Sequence, residues 1–286
     1  MLDDKPIVIF LFGPTAVGKT NLALSLYHKL PCMLISVDSA MVYKDLDIGT
    51  AKPHANILSA IPHELIDIIT PDVSYSAGSF YHDVIGLIKT AINAHKIPLL
   101  VGGTMLYFHV LNNGLAVLPK ADVKVRAHLA KLADLYGNQY LYQTLSRIDH
   151  VTAIKLDPND HKRIVRALEV FMLTGNSITY LQQNSIKPLA DYRIIPIGIV
   201  PSSRAALHMA IKRRSQQMLR HGFVDEVKML CCKYQLHHQL PASLGNNDNV
   251  PSAILSYCMN TRFQISTYLS PSASMLPGAP PAISLP

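Results

Sequence analysis

The feature that most constrains this chain is a glycine-rich segment that directly follows an apolar run near the N-terminus. The run IVIFLF occupies residues 7–12, and the next eight residues, GPTAVGKT, fit the spacing G-x-x-x-x-G-K-[ST]. The Ile, Val and Phe content predicts a buried strand, and residues 21–30 have helical spacing. A strand, a loop and a helix in this order surround an anion with backbone N–H groups and the positive end of the helix. The segment therefore predicts a site for a diphosphate or triphosphate.

Each residue of this loop is a candidate phosphate contact. Lys19 is expected to place its charge on the outer phosphate, and the hydroxyl of Thr20 is expected to ligate Mg²⁺. A glycine-rich turn that matches the spacing by chance is the alternative, and the flanking strand and helix argue against it. The predicted loop residues are Gly13, Pro14, Thr15, Ala16, Val17, Gly18, Lys19 and Thr20.

Further apolar runs predict the other strands of a parallel sheet, at residues 33–37, 65–68, 98–101 and 193–200. Helical or loop-like sequence separates them, which is typical of an α/β layer structure. Between residues 121 and 181 the spacing is helical without a convincing strand. We therefore predict an α/β fold with a P-loop NTPase-like parallel sheet core and a helical insertion domain. The predicted divisions are a core at 1–118 and 190–241, an insertion at 119–189 and a tail at 242–286.

Composition indicates a folded globular protein, because 49% of the 286 residues are hydrophobic and 16% are charged. No run approaches 18 apolar residues, and the start MLDDK is unlike a secretory signal, so we expect a cytoplasmic protein that does not interact with membranes. The four cysteines lack a paired metal spacing. Cys231-Cys232 with His237-His238 suggests zinc, but a buried or half-buried helix face is the favoured interpretation.

Positive charge is concentrated in the second half of the chain. Residues 1–112 contain 7 Lys/Arg and 9 Asp/Glu, whereas residues 113–240 contain 18 Lys/Arg and 9 Asp/Glu. Such segregation favours a polyanionic partner, with nucleic acid the leading candidate. A solvated helical surface remains the alternative.

Three further places carry candidate chemistry. Asp38 follows the second predicted strand, where it could bind Mg²⁺ through water, accept a proton, or simply cap a turn. The sequence Gly102-Gly103-Thr104 ends a later strand and fits either a ligand approach or a plain tight turn. Arg213 and Arg214, on a late basic helix, could neutralise a departing phosphate, although exposed helix charges are the simpler interpretation.

Four segments taken together resemble the tRNA dimethylallyltransferase family. They are GPTAVGKT, ISVDSAMVYKDLDIGTAKP at 35–53, LLVGGTMLY at 99–107 and NDHKRIVRALEV at 159–170, and the resemblance runs from about residue 7 to residue 241. It implies transfer of a dimethylallyl group from dimethylallyl diphosphate to N6 of the adenine at tRNA position 37, beside the anticodon, with release of diphosphate. It also implies that the loop holds the donor's diphosphate with Mg²⁺ and does not hydrolyse ATP.

The resemblance assigns roles residue by residue. Asp38 resembles the family's general base, Arg214 the arginine that steadies the leaving group, and Thr104 a further catalytic residue. The anticodon stem-loop of tRNA is the implied partner, and a monomer is expected. The implied tRNA contacts are Asp38, Ser39, Ala40, Met41, Thr104, Arg126, Lys162, Arg163, Ile164, Val165 and Arg166.

The chain departs from the family after residue 241, where a Gly-Tyr-Arg-Gln motif and a basic helix are expected but not found. Residues 242–286 are rich in proline and nearly uncharged, which favours a poorly ordered tail. We therefore predict a retained diphosphate pocket with weakened tRNA affinity and little activity. Two other functions stay open on the sequence: a P-loop nucleotide or small-molecule kinase, and an RNA-binding protein with a degenerate phosphate site.

Overall fold

A computed structural model describes residues 5–116, 118–183 and 187–234. These residues form a five-stranded sheet in the order β3-β2-β4-β1-β5, in which every pairing is parallel. The α/β class predicted from the alternating apolar runs is therefore confirmed. The strands are β1 (Ile7–Phe12), β2 (Cys32–Val37), β3 (His63–Glu64), β4 (Ile97–Gly102) and β5 (Arg193–Gly198).

The inner strands are buried on both faces, as their continuous apolar sequences require. Leu99 and Leu100 are neighbours on β4 and both are fully buried, yet they belong to two separate hydrophobic clusters on opposite faces of the sheet. Strand β5 lies at the edge and is only partly buried. Pro196 is tolerated there because an edge strand has one side without a ladder partner.

Helices cover both faces of this sheet. Helix α3 shows why they do so, since its buried residues Phe80, Val84, Ile88 and Ala91 recur at helical spacing and Ser76 caps its start by accepting the Ser79 N–H. The helices of the core are α1 (Lys19–Tyr27), α2 (Ala55–Ala60), α3 (Ala77–Asn93), α4 (Met105–Asn113), α10 (Arg204–Arg220) and α11 (Phe223–Lys233).

The predicted strand at residues 65–68 is wrong in position. The strand in this region is His63–Glu64, which pairs with Leu34 and Ile35 of β2. Leu65 and Asp67 have φ angles of 63° and 57°, and a left-handed residue cannot continue an extended strand. The apolar character of this segment instead reflects its contribution to the core, because Leu65 is buried.

Five helices between residues 123 and 183 have a hydrophobic core of their own, as the helical spacing predicts. They are α5 (Val123–Tyr136), α6 (Asn138–Ile148), α7 (His150–Ala153), α8 (His161–Thr174) and α9 (Ile178–Gln183). Leu145 of α6 and Ile164 of α8 are fully buried in this core. The domain limits at 119–189 stay a prediction.

Two other sequence expectations are not addressed by the described residues. The tail at 242–286 and the pair His237-His238 lie outside the described residues. Within the described part of the chain, no group of three or more His, Cys, Asp or Glu side chains could hold a metal ion. In that same part, no helix has the length and apolar character needed to cross a membrane.

Candidate functional site

The glycine-rich loop joins β1 to α1 at the carboxyl edge of the sheet. A Cβ on Gly13 would lie 2.4 Å from the carbonyl oxygen of Ile199, so only glycine fits this close approach. Ala16 and Gly18 have φ angles of 62° and 93°, and Gly18 is the N-cap of α1. The predicted strand, loop and helix are thus present in the order that an anion site requires.

The ammonium of Lys19 lies over the loop. Its Nζ donates hydrogen bonds to the carbonyl oxygens of Gly13 at 2.9 Å and Pro14 at 2.7 Å. Burial lowers the pKa of Lys19, the charge of Asp38 acts in the opposite direction, and Arg214 lowers it further. A partly buried cation between one carboxylate and a second cation is suited to a multiply charged anion.

Asp38 lies directly after β2 and faces this cation. Its Oδ1 accepts the backbone N–H groups of Ala40 at 2.8 Å and Met41 at 3.2 Å, so it caps the turn as the simpler interpretation expected. Among the described residues no group donates to its Oδ2. Capping therefore fixes the carboxylate while one oxygen stays available to a ligand.

Thr104 ties the ends of β2 and β4 together. Its Oγ1 accepts the N–H of Ser39 at 3.1 Å, and its own N–H donates to the carbonyl oxygen of Val37 at 3.3 Å. A Cβ on Gly102 would lie 1.9 Å from that same carbonyl oxygen, so the two strands approach more closely than any other residue would permit. The Gly-Gly-Thr turn is thus both a tight turn and a wall of the site.

The side chain of Arg214, on α10, extends to the glycine-rich loop, so it is not an exposed helix charge. Its Nη1 donates to Thr15 Oγ1 at 3.0 Å, and its Nη2 donates to the carbonyl oxygen of Thr50 at 3.1 Å. Burial lowers the pKa of Arg214 and the charge of Asp38 raises it. The neighbouring Arg213 is exposed, as expected for a helix surface charge. It also lines the cavity described next.

These groups line one open cavity of about 790 Å³, a volume typical of a small-molecule site. Its walls combine loop residues with the ends of β2 and β4 and one side of α10. Predicted residues that line it are Thr15, Ala16, Val17, Gly18, Lys19, Thr20, Asp38, Ser39, Met41, Thr104 and Arg214. The structure thereby brings together residues that are almost 200 positions apart.

The predicted tRNA contacts of the insertion lie on α5 and α8. Arg126 Nε and Arg166 Nη1 both donate to the buried carboxylate of Glu169, at 2.9 and 2.6 Å, while Lys162 and Arg163 are exposed. Burial raises the pKa of Glu169, but hydrogen bonds from Arg126, Arg166 and the Asp122 N–H, together with the charge of Arg126, leave the pKa below its ordinary value. The contacts themselves stay a prediction.

Ile164 needs correction within that set. Its side chain is fully buried in the helical core of the insertion, so it supports the fold and is not presented to a partner. Val165 beside it is partly buried against the same core. Helical spacing explains the difference, because residues of one helix alternate between its packed and exposed sides.

Sequence reasoning missed two contributors to the site, Thr50 and Glu226. Thr50 acts through its backbone carbonyl, which no side-chain pattern signals. The Glu226 carboxylate accepts backbone N–H groups of residues 47–49. A signal for both lay in the segment DIGT at residues 47–50, since a glycine and small polar residues mark a turn whose amides need partners.

Comparisons with known proteins show the family of this chain. A family model described as IPP transferase matches residues 41–251, which extends past residue 241, where the motif resemblance ended. A tRNA delta(2)-isopentenylpyrophosphate transferase from Staphylococcus epidermidis is 31% identical over 93% of this chain and 89% of its own, with a TM-score of 0.54. A tRNA isopentenylpyrophosphate transferase from Bacillus halodurans is also 31% identical, over 94% and 88%, with a TM-score of 0.54. A eukaryotic dimethylallyltransferase acting on tRNA is 27% identical over 81% of this chain and 57% of its own, with a TM-score of 0.69.

Proposed function

This chain belongs to the IPP transferase family, and from that premise we propose that it prenylates tRNA. The reaction moves a dimethylallyl group from dimethylallyl diphosphate to N6 of the adenine at tRNA position 37 and releases diphosphate. The observation that carries the proposal is the meeting of Lys19, Arg214 and Asp38 in one cavity. Two cations suit a diphosphate leaving group, and the carboxylate suits a proton acceptor.

The cationic end of the cavity supports departure of the diphosphate. In the proposed step the bond between the allylic carbon and the diphosphate oxygen breaks, and its electron pair leaves with that oxygen. Lys19, Arg214 and the loop then face a growing negative charge. Preorganised donors of this kind each contribute about 2.7–4 kcal/mol in comparable sites.

The acceptor end depends on Asp38. As the adenine N6 forms its bond to the allylic carbon, the amine must lose a proton, and Asp38 Oδ2 is the oxygen available to take it. The two backbone N–H groups on Oδ1 keep the carboxylate in place during this transfer. A positioned general base contributes a factor of about 10²–10⁴ to the rate.

Thr20 fits the proposed magnesium role. It lies at the start of α1, lines the cavity and stands beside Lys19. Mg²⁺ usually keeps several waters and takes only a few protein ligands together with substrate phosphate oxygens, so the Thr20 hydroxyl would be one of its ligands. When bound, the ion would neutralise part of the diphosphate charge.

The proposed RNA partner is the anticodon stem-loop. An adenine must leave its stack to enter the cavity, and this costs least in a single-stranded loop. Exposed cations of the insertion, Lys162 and Arg163, would then hold the phosphate backbone. We further propose that the protein works as a monomer in the cytoplasm.

Mixing the protein with an anticodon stem-loop and either labelled dimethylallyl diphosphate or ATP tests this proposal. Slow labelling of the RNA is the expected result, because the chain departs from the family's sequence after residue 241. Any labelling excludes a purely RNA-binding role. ATP consumption without RNA labelling would instead support the kinase alternative. RNA binding with neither reaction would overturn the enzyme assignment.

A further inference from the structure

We propose that Glu226 is a positioning residue for Arg214 and so for the diphosphate group. The inference rests on the proposed function, because it assigns Arg214 to the donor's diphosphate. It concerns a residue of α11 that does not line the cavity. Glu226 acts at a distance, through the turn that holds the arginine.

Glu226 is bonded as a fixed anchor rather than a surface charge. Its residue is only 9% exposed, and its Oε2 accepts the N–H groups of Asp47 at 2.9 Å and Ile48 at 2.7 Å. Its Oε1 accepts the N–H of Gly49 at 3.1 Å. Three consecutive amides converging on one carboxylate form an anion nest, here filled by the protein's own side chain.

The next residue in the chain transmits this constraint to the cavity. Thr50 is 7% exposed, and its Oγ1 donates to the carbonyl oxygen of Leu46 at 2.7 Å, which closes the turn. Its own carbonyl oxygen accepts Arg214 Nη2 at 3.1 Å. Because Glu226 fixes residues 47–49, it fixes the direction of the Thr50 carbonyl immediately after them.

The other side of the turn is fixed by Lys52, which is buried. Its Nζ lies 2.5 Å from carboxylate oxygens of both Asp47 and Asp67, and it donates to the carbonyl oxygen of Tyr43 at 3.1 Å. Lys52 continues to hold its own side of the turn when Glu226 is lost. The loss of Glu226 is therefore expected to displace the turn on the side that carries Thr50.

Arg214 and Glu226 lie on consecutive helices, and both side chains form hydrogen bonds with the same turn. Helices α10 and α11 are joined through Gly222, which has a φ angle of 91° and is the N-cap of α11. Phe223 and Leu230 of α11 pack with Val42 and Leu46, which precede the turn. The pair of helices thus brings the arginine and its positioning carboxylate to the turn as one unit.

Binding of inorganic pyrophosphate with Mg²⁺, measured by calorimetry, tests this inference without RNA. In Glu226→Gln the amide Nε2 faces a backbone N–H that formerly had an acceptor, so the turn must shift. We expect its pyrophosphate affinity to fall about tenfold, the order expected when a hydrogen bond to a charged group is lost. A matched control is Glu169→Gln, a buried glutamate of the insertion, which should leave this affinity unchanged.

The decisive measurement is a double-mutant cycle. If Glu226 acts through Arg214, then adding Glu226→Gln to Arg214→Ala should weaken pyrophosphate binding no further, although it should still lower the melting temperature. Additive losses of affinity would mean that Glu226 acts by another route and would overturn the inference. Wild-type affinity in Glu226→Gln would overturn it as well.

Two further comparisons keep the test decisive. If Glu226→Gln does not fold, Glu226→Asp retains the charge with a shorter reach and should show the same coupling to Arg214. If the wild-type protein transfers no prenyl group, the proposed function fails. If the wild-type protein does transfer the prenyl group, and Arg214→Ala weakens pyrophosphate binding but the Glu226 variants do not, only the positioning role fails.

Discussion

The core and the helical insertion each contain a buried glutamate, and the two carboxylates are stabilised in different ways. In the core, Glu226 accepts the backbone N–H groups of three consecutive residues. In the insertion, Glu169 is bonded to the side chains of Arg126 and Arg166 and to one backbone N–H, that of Asp122 at 2.8 Å. Amides fix the path of the backbone, whereas guanidinium groups fix the positions of side chains and cancel charge.

This difference affects how the positive charge of the insertion is understood. Arg126 and Arg166 share one carboxylate, and Arg166 also donates to the carbonyl oxygen of Pro119 at 2.7 Å. They are held in place and partly neutralised. The exposed residues Lys162 and Arg163 are more readily available for phosphate contacts. Arg163 does have one acidic neighbour, since its Nε lies 3.5 Å from Asp160 Oδ2.

The largest expected effect is on the chemistry of the core. Asp38→Ala should lower kcat for prenyl transfer by about 10²–10⁴ because the amine loses its proton acceptor. Affinity for the stem-loop should change far less, as measured by fluorescence anisotropy. Asp38→Asn is the matched control for shape, and a kcat near wild type in Asp38→Asn would contradict the role of general base.

Lys19→Ala should impair the diphosphate step by about 10²–10³, the range seen when one preorganised donor is removed. Measuring both kcat/KM for the donor and the affinity for the stem-loop distinguishes an effect on the core from an effect on the insertion. Lys29→Ala, an exposed lysine just beyond α1, provides a control of equal charge. Equal, mild losses in both variants would mean that the cavity is not the donor site.

Glu169→Gln should destabilise the protein by about 2–3 kcal/mol, because two arginines lose a buried partner but can still reach water. Urea unfolding measures this loss. Stem-loop affinity should also fall, since Arg126 and Arg166 are no longer held, while pyrophosphate affinity stays constant. If pyrophosphate affinity fell instead, the two regions would be coupled in a way that the contacts do not explain.

A smaller effect is expected from Lys162→Ala combined with Arg163→Ala. Each phosphate contact on single-stranded RNA changes the salt dependence of log K by about 0.7, so the slope should drop by about 1.4. Filter binding over a series of salt concentrations gives this slope. Lys155→Ala, another exposed lysine of the insertion, should leave it nearly unchanged if the predicted strip is specific.

The smallest expected effect is acid sensitivity of the insertion. Because the folded-state pKa of Glu169 is lowered, its charge stabilises the fold above the ordinary glutamate pKa of 4.5, and this stability is lost as the pH falls through the lower folded value. Urea midpoints measured from pH 6 downward should therefore decline below pH 4.5. In Glu169→Gln the part of this decline that belongs to residue 169 should disappear.

Sequence patterns predicted the features that depend on the type of side chain and missed those that depend on backbone conformation and backbone hydrogen bonds. The strand and loop at residues 7–20 were predictable because apolar content and glycine spacing reflect burial and close approach directly. The strand at 63–64 was misplaced because the left-handed conformation of Leu65 leaves no compositional trace. Thr50 was missed since its contribution is a carbonyl oxygen. Arg214 was one of two candidate arginines on the late basic helix until the family resemblance singled it out.

The contacts of Lys19 have a consequence for selectivity. Since its ammonium already has the carbonyl oxygens of Gly13 and Pro14 as acceptors, an incoming anion competes with neutral dipoles that are part of the same loop. A monovalent ion such as chloride offers little more than those dipoles do, whereas a polyphosphate offers several charged oxygens at once. The loop is therefore expected to select polyphosphates over singly charged anions.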